Sequence, residues 1–137
     1  MPDTKDITGG CYCGEVRYSA RNATTSLIEC HCRQCRKQSG HRYATTAIVA
    51  ADFTLEGEQN ITLFRASEAA ERGFCSACGS HLFWRSSTDD KMAILAGTID
   101  DPSGMVLGSH IFVGDKGCYY DLDDGLPQFD GYDTPVG

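Results

Sequence analysis

No apolar run in this sequence approaches the ~20 residues a membrane-spanning helix needs. The N-terminal Met1-Pro2-Asp3-Thr4-Lys5-Asp6 lacks the apolar core of a secretory signal. Basic charge is also scarce, with 12 Lys and Arg against 19 Asp and Glu and a formal net charge of −7. Such a field repels phosphate backbones and anionic membrane surfaces, so nucleic-acid and membrane partners are disfavoured. Internal repeats, linker-like stretches and long runs of helical period are absent as well. One domain over residues 1–137 is expected, and a chain of that size buries about two thirds of its unfolded surface. The expected location is cytoplasmic, where reducing conditions keep thiols free of disulfides.

What the sequence has in excess is cysteine, eight in 137 residues. Three fall within six residues, Cys30-His31-Cys32-Arg33-Gln34-Cys35. A Cys-x-Cys turn running into a Cys-x-x-Cys turn brings three sulfurs to one point, within reach of a tetrahedral zinc with bonds of about 2.3 Å. Two flanking pairs, Cys11-x-Cys13 and Cys75-x-x-Cys78, can complete a set of four for a second metal. The expectation is two zinc ions per chain, one closed by four thiols and one left open by three. A disulfide scaffold is the competing reading, but such scaffolds join distant segments, whereas short loops between thiols are the form of metal knuckles.

The remainder of the chain has the pattern of short strands. Val16, Tyr18 and Ala20 alternate with polar residues at the period of a half-buried strand. Arg21–Thr25 has the composition of a turn, and Ser26–Glu29 forms a strand delivering Cys30. Arg36–Gly40 suits one helical turn closed by glycine. Strands are expected over Tyr43–Ala51, Ile61–Phe64, His81–Trp84 and His110–Val113, with Met92–Ala96 a central strand or buried segment. Asp52–Glu58 and Asp100–Gly104 are breakers, and Ser67–Glu71 is a loop or short helical turn. An acidic tail carries Asp121, Asp123, Asp124, Asp130 and Asp133. About eight strands and little helix make the fold class mainly β, with knuckles tying strand ends that a modest core holds poorly alone.

Three stretches together carry a family likeness: Gly10-Cys11-Tyr12-Cys13-Gly14-Glu15-Val16-Arg17-Tyr18, then Cys30-His31-Cys32-x-x-Cys35-Arg36-Lys37, then Phe74-Cys75-x-x-Cys78-Gly79. In this order they resemble the glutathione-dependent formaldehyde-activating enzyme family, which also contains centromere protein V. The likeness extends through His110-Ile111-Phe112-Val113 to Leu126-Pro127-Gln128-Phe129. It implies a β-tent fold of small antiparallel sheets tied by zinc knuckles. It implies a structural zinc on Cys11, Cys13, Cys75 and Cys78, and a catalytic zinc on Cys30, Cys32 and Cys35. The implied activity is that of a carbon–sulfur lyase, an S-(hydroxymethyl)glutathione synthase-like enzyme joining glutathione or a similar thiol to formaldehyde or another small electrophile.

The chemistry of the thiols is consistent with that division. A zinc with four thiolates has no vacant position and serves the fold alone. One with three thiolates can take an external thiol as fourth ligand and hold it deprotonated beside an electrophilic carbon. A histidine among His31, His41, His81 and His110 would close the site instead and make the protein a noncatalytic zinc-stabilised β-tent binding module. His31 is expected to point away from its neighbouring thiols, and His110 to be a hydrogen-bonded core residue. Arg33, Arg36 and Lys37 form either a basic rim for a carboxylate-bearing thiol or a solvated charged turn. Tyr12, Tyr43, Phe83 and Trp84 line a pocket or belong to the core. A redox role like that of methionine sulfoxide reductases would need Cys118, and the Arg-x-Cys-x-Asn context is absent. The oligomeric state is left open by the sequence.

Overall fold

The computed structural model describes residues 3–132, so Met1, Pro2 and Asp133 of the acidic tail lie outside the described residues. Ten strands and one short helix follow in order: β1 (Thr4–Gly10), β2 (Arg17–Thr24), β3 (Ser26–Cys30), α1 (Arg33–Ser39), β4 (Ala44–Val49), β5 (Phe53–Glu56), β6 (Ile61–Ser67), β7 (Ala70–Cys75), β8 (His81–Ser86), β9 (Lys91–Leu95) and β10 (Val106–Ile111). They form a three-stranded sheet, β1-β2-β5, and a seven-stranded sheet, β10-β3-β4-β9-β8-β7-β6. The fold is mainly β, as expected, and every strand pair is antiparallel except β10 with β3.

The core lies where the sheets face each other. Val16, Tyr18 and Ala20 are buried on one side of β2 and its approach, as their alternation predicts, and they pack with Ile7, Ile48, Leu82, Phe83, Met92 and Ile94. Cys11 and Cys75 belong to the same buried cluster. Met92–Leu95 lies in the central strand β9, between β4 and β8. Its apolar run shows no simple alternation because Met92 and Ile94 pack in the main core while Leu95 packs in a second cluster with Cys35 and Tyr43.

Several local expectations change. Ser67–Glu71, expected as a loop or short helical turn, supplies the end of β6 and the start of β7. Arg21–Thr24 is strand, because β1 continues its ladder past the turn-like residues, pairing Lys5 with Ala23 across a register shift. Asn22 takes up the irregularity with φ 57° and donates its backbone N–H to Asp6 Oδ1 at 3.1 Å, a conformation asparagine tolerates better than most side chains. Asp52–Glu58 contains β5, since Phe53 and Leu55 pack on the core and Phe53 lies 5.7 Å from the Tyr18 ring. The last strand begins at Val106 and ends at Ile111, because Phe112 turns to φ 55° and stops the ladder.

Candidate metal centres

The four-thiol cluster joins the two sheets. Cys11 and Cys13 lie in the turn between β1 and β2, Cys75 ends β7, and Cys78 lies in the turn before β8. Their sulfurs all lie within 4.8 Å of one another, with Cys11 and Cys13 3.5 Å apart and Cys13 and Cys75 3.8 Å apart. Four sulfurs bound at about 2.3 Å to one tetrahedral centre stand about 3.8 Å apart, so the residues fit zinc. A disulfide needs a separation of about 2.05 Å, and all the cysteines are free.

The turns hold these sulfurs through backbone geometry. Gly14 and Gly79 have φ 83° and 81°, left-handed conformations that glycine alone adopts without a steric cost. Gly79 donates to Cys75 O at 2.8 Å and Cys75 donates to Ser80 O at 2.9 Å. The Val16 N–H donates to Cys11 Sγ at 3.3 Å, and the Ser80 hydroxyl lies 3.2 Å from Cys78 Sγ. Hydrogen bonds from the Ser80 side chain and backbone pull the Cys78 thiol down to about 5.

Cys30, Cys32 and Cys35 also lie within 4.8 Å of one another. β3 delivers Cys30, and Cys32 caps α1, accepting a hydrogen bond from the Cys35 N–H at 3.3 Å. The helix is seven residues long and begins at Arg33, so the predicted turn extends back to the thiols. Hydrogen bonds with Cys30 and Cys35 push the Cys32 thiol strongly down, while those with Cys32 and Cys35 push Cys30 strongly up. Crowded sulfurs that cannot all carry charge together are the donor set a divalent cation relieves, so this cluster also fits zinc.

The histidine question turns on β10. Its parallel pairing puts His110 opposite Glu29, and all three of Glu29, His31 and His110 are buried. His31 Nε2 lies 2.8 Å from His110 Nδ1, His31 Nδ1 2.6 Å from the Tyr120 hydroxyl, and His110 Nε2 2.8 Å from Asp124 Oδ2. One assignment of protons satisfies the whole chain: Tyr120 donates to His31, His31 to His110, and His110 to Asp124. Burial, with the positive groups nearby, pushes His31 down to about 4 and keeps it neutral. Glu29 accepts from Arg42 Nη1 at 3.0 Å and lies 3.2 Å from His31 Nε2. The Glu29, His31 and His110 ligand atoms are close enough to one another for a metal ion. Two nitrogens on one ion at about 2.1 Å, however, stand about 3.0 Å or more apart, so the 2.8 Å contact is a hydrogen bond.

His31 thus points away from its neighbouring thiols, as expected, but it is wholly buried. His110 is a hydrogen-bonded core residue. Among the described residues no His, Asp or Glu joins Cys30, Cys32 and Cys35 as a fourth ligand. Tyr43 is buried beside Cys35 and Leu95, Phe83 is in the central core, and Tyr12 is 95% exposed. Arg33 and Lys37 are exposed, and Arg36 is half-buried. A cleft of about 520 Å³, lined by Gln38, Arg42, Ala44, His81 and Leu95 among others, shares Leu95 with the three-thiol cluster.

Sequence reasoning missed Glu29 and Arg72 as parts of this site. Glu29 has no local signal, because only the parallel pairing of β10 brings it to His110. Arg72 had one, since it precedes Cys75 by three residues on the same strand, yet its partner Cys35 lies 37 positions away. Cys118 is exposed and outside both thiol clusters. Cys118→Ser is therefore expected to retain every equivalent of zinc in elemental analysis, and losing one would break the division into four and three.

Comparison with known proteins gives a consistent picture. The glutathione-dependent formaldehyde-activating enzyme pattern matches residues 6–115, which include the seven clustered cysteines and exclude Cys118. An uncharacterized lyase of Schizosaccharomyces pombe is 24% identical over 125 residues, 90% of each chain. The crystal structure of a Rhodobacter sphaeroides protein superposes with a TM-score of 0.60 at 20% identity, covering 69% of this chain and 88% of that one. That likeness shows a shared fold.

Proposed function

Because this chain belongs to the glutathione-dependent formaldehyde-activating enzyme family, we propose that it is a zinc-dependent carbon–sulfur lyase joining glutathione or a similar thiol to formaldehyde. What supports this reading is a cluster of three thiols with no fourth protein ligand among the described residues. Three thiols converge, and the neighbouring histidine is held on both ring nitrogens by other partners. The same observation weighs against a site closed by histidine and hence against a noncatalytic binding module.

Cys30, Cys32 and Cys35 would hold the catalytic zinc, and Cys11, Cys13, Cys75 and Cys78 the structural one. Zinc bound at the open site supplies a fourth position where a thiol loses its proton at neutral pH. The Tyr120–His31–His110–Asp124 chain fixes the turn between Cys30 and Cys32. Tyr43 and Leu95 cover one side of the cluster and limit access of water. Arg42 and Gln38 in the adjoining cleft offer donors to a carboxylate-bearing thiol. In the addition, the sulfur–hydrogen bond breaks, the proton goes to solvent, sulfur bonds to the aldehyde carbon, and the carbonyl oxygen takes up a proton. The product is S-hydroxymethylglutathione, and cleavage in reverse returns the two reactants.

The test is carbon-13 exchange spectroscopy of labelled formaldehyde with glutathione, using protein loaded with two zinc equivalents. Exchange faster than the spontaneous rate is expected. An exchange rate equal to the spontaneous one at full zinc loading would overturn the proposal.

A further inference from the structure

Arg72 is the one buried Arg or Lys among the described residues, at 5% exposure. It lies on β7 between Phe64 of β6 and Trp84 of β8. Its Nη2 donates to Cys35 Sγ at 3.4 Å and to Gln34 Oε1 at 3.1 Å. Its guanidinium carbon lies 4.9 Å from the centre of the Tyr43 ring. Nε and Nη1 are buried without a hydrogen-bond partner.

What Arg72 lacks is a carboxylate. The arginine ion pairs among the described residues belong to Arg17, Arg21, Arg42 and Arg85. A buried guanidinium with no anion is strongly unfavourable. A guanidinium stays protonated in proteins, and the anionic group within reach of Arg72 is the Cys35 sulfur. The anion it faces is therefore the thiolate cluster.

The two cysteine sites differ in this respect. At the four-thiol site the donors to sulfur are neutral, the Val16 N–H on Cys11 and the Ser80 hydroxyl beside Cys78. At the three-thiol site one donor is a cation. Three thiolates around a divalent metal leave one net negative charge, and a fourth from outside would add another in buried surroundings. A charged donor on a ligating sulfur draws electron density from it and leaves the metal more electrophilic.

We propose that Arg72 is a positioning residue that acts through Cys35, neutralising the three-thiolate cluster so that its fourth position accepts an external thiolate. This rests on the thiol-binding function proposed above. Arg72 does not touch the substrate, so its effect is blind to what else the thiol carries. It raises affinity for glutathione and for a small uncharged thiol alike.

The experiment replaces the zinc with cobalt(II) and follows sulfur-to-cobalt charge-transfer absorption while titrating glutathione or 2-mercaptoethanol. Wild type, Arg72→Gln and Arg72→Lys are compared. Arg72→Gln is expected to keep both metals and weaken both thiols at least tenfold, and Arg72→Lys, which keeps the charge, to recover most of that loss. Unchanged affinities would overturn the proposal, as would a loss confined to glutathione, which would make Arg72 a carboxylate binder. Failure of both variants to fold would make it a packing residue and overturn the proposal too. If wild-type protein binds neither thiol, the proposed function itself fails, a result distinct from equal binding by wild type and Arg72→Gln.

Discussion

Cys78→Ser is expected to leave a protein that does not fold. The four-thiol site ties the turn after β1 to the β7–β8 hairpin, and so ties the three-stranded sheet to the seven-stranded one. Two of its thiols, Cys11 and Cys75, are inside the main core with Val16, Leu82 and Phe83. A structural zinc contributes on the order of 10 kcal/mol to folding, whereas a domain is stable by only about 5–15 kcal/mol. Losing one ligand of four weakens metal binding and leaves the buried Cys11 and Cys75 thiols without the cation that holds them together. The soluble fraction, the zinc count and a thermal melt of Cys78→Ser measure the outcome. A folded variant melting within a few degrees of wild type would mean that this cluster does not hold the sheets together.

Cys35→Ser is the second large effect, and it is of another kind. Its thiol is buried, so the serine hydroxyl costs about 1–3 kcal/mol if left without a partner, roughly 3–10 °C in melting temperature. The fold should survive, because Cys30, Cys32 and Cys35 are near one another in sequence and little chain entropy is released when they part. β3, β4 and β9 stay paired without them. Activity should not survive. Residues that merely orient metal ligands are worth about 10–100-fold, so removing a ligand should cost more than 100-fold in the exchange rate and one equivalent of zinc. Equal losses of stability in Cys78→Ser and Cys35→Ser would make both sites structural and favour a binding module over an enzyme.

The two variants differ because the same element, a cysteine knuckle, closes loops of different length. Cys13 and Cys75 are 62 positions apart with their sulfurs 3.8 Å from each other. Cys30 and Cys35 are separated by one turn of chain. Loop-closure entropy grows with the logarithm of the segment enclosed, so the first site constrains far more of the unfolded chain than the second.

Short-range pattern was enough for much of this protein. The spacing of seven cysteines singled out the two clusters that the fold brings together, and period-two alternation located the buried face of β2 through Val16, Tyr18 and Ala20. Both signals are local, because x and xx spacings bring thiols together in a single turn and strand alternation acts between next neighbours. Strand pairing was beyond that reach. β5 was hidden by its acidic and glycine flanks, and its pairing with Arg17–Ala20 is what makes Phe53–Glu56 a strand. The parallel register of β10 with β3 decided that His110 meets Glu29 and His31, which in turn decided that His31 faces away from the thiols. The approach of β7 to α1 decided that the buried cation at Cys35 is Arg72. Composition and spacing determined which atoms can bind metal. Tertiary pairing decided that His31 is held away from the three thiols and that a cation stands beside them, because both depend on contacts between residues 37 to 89 positions apart, at distances no local pattern encodes.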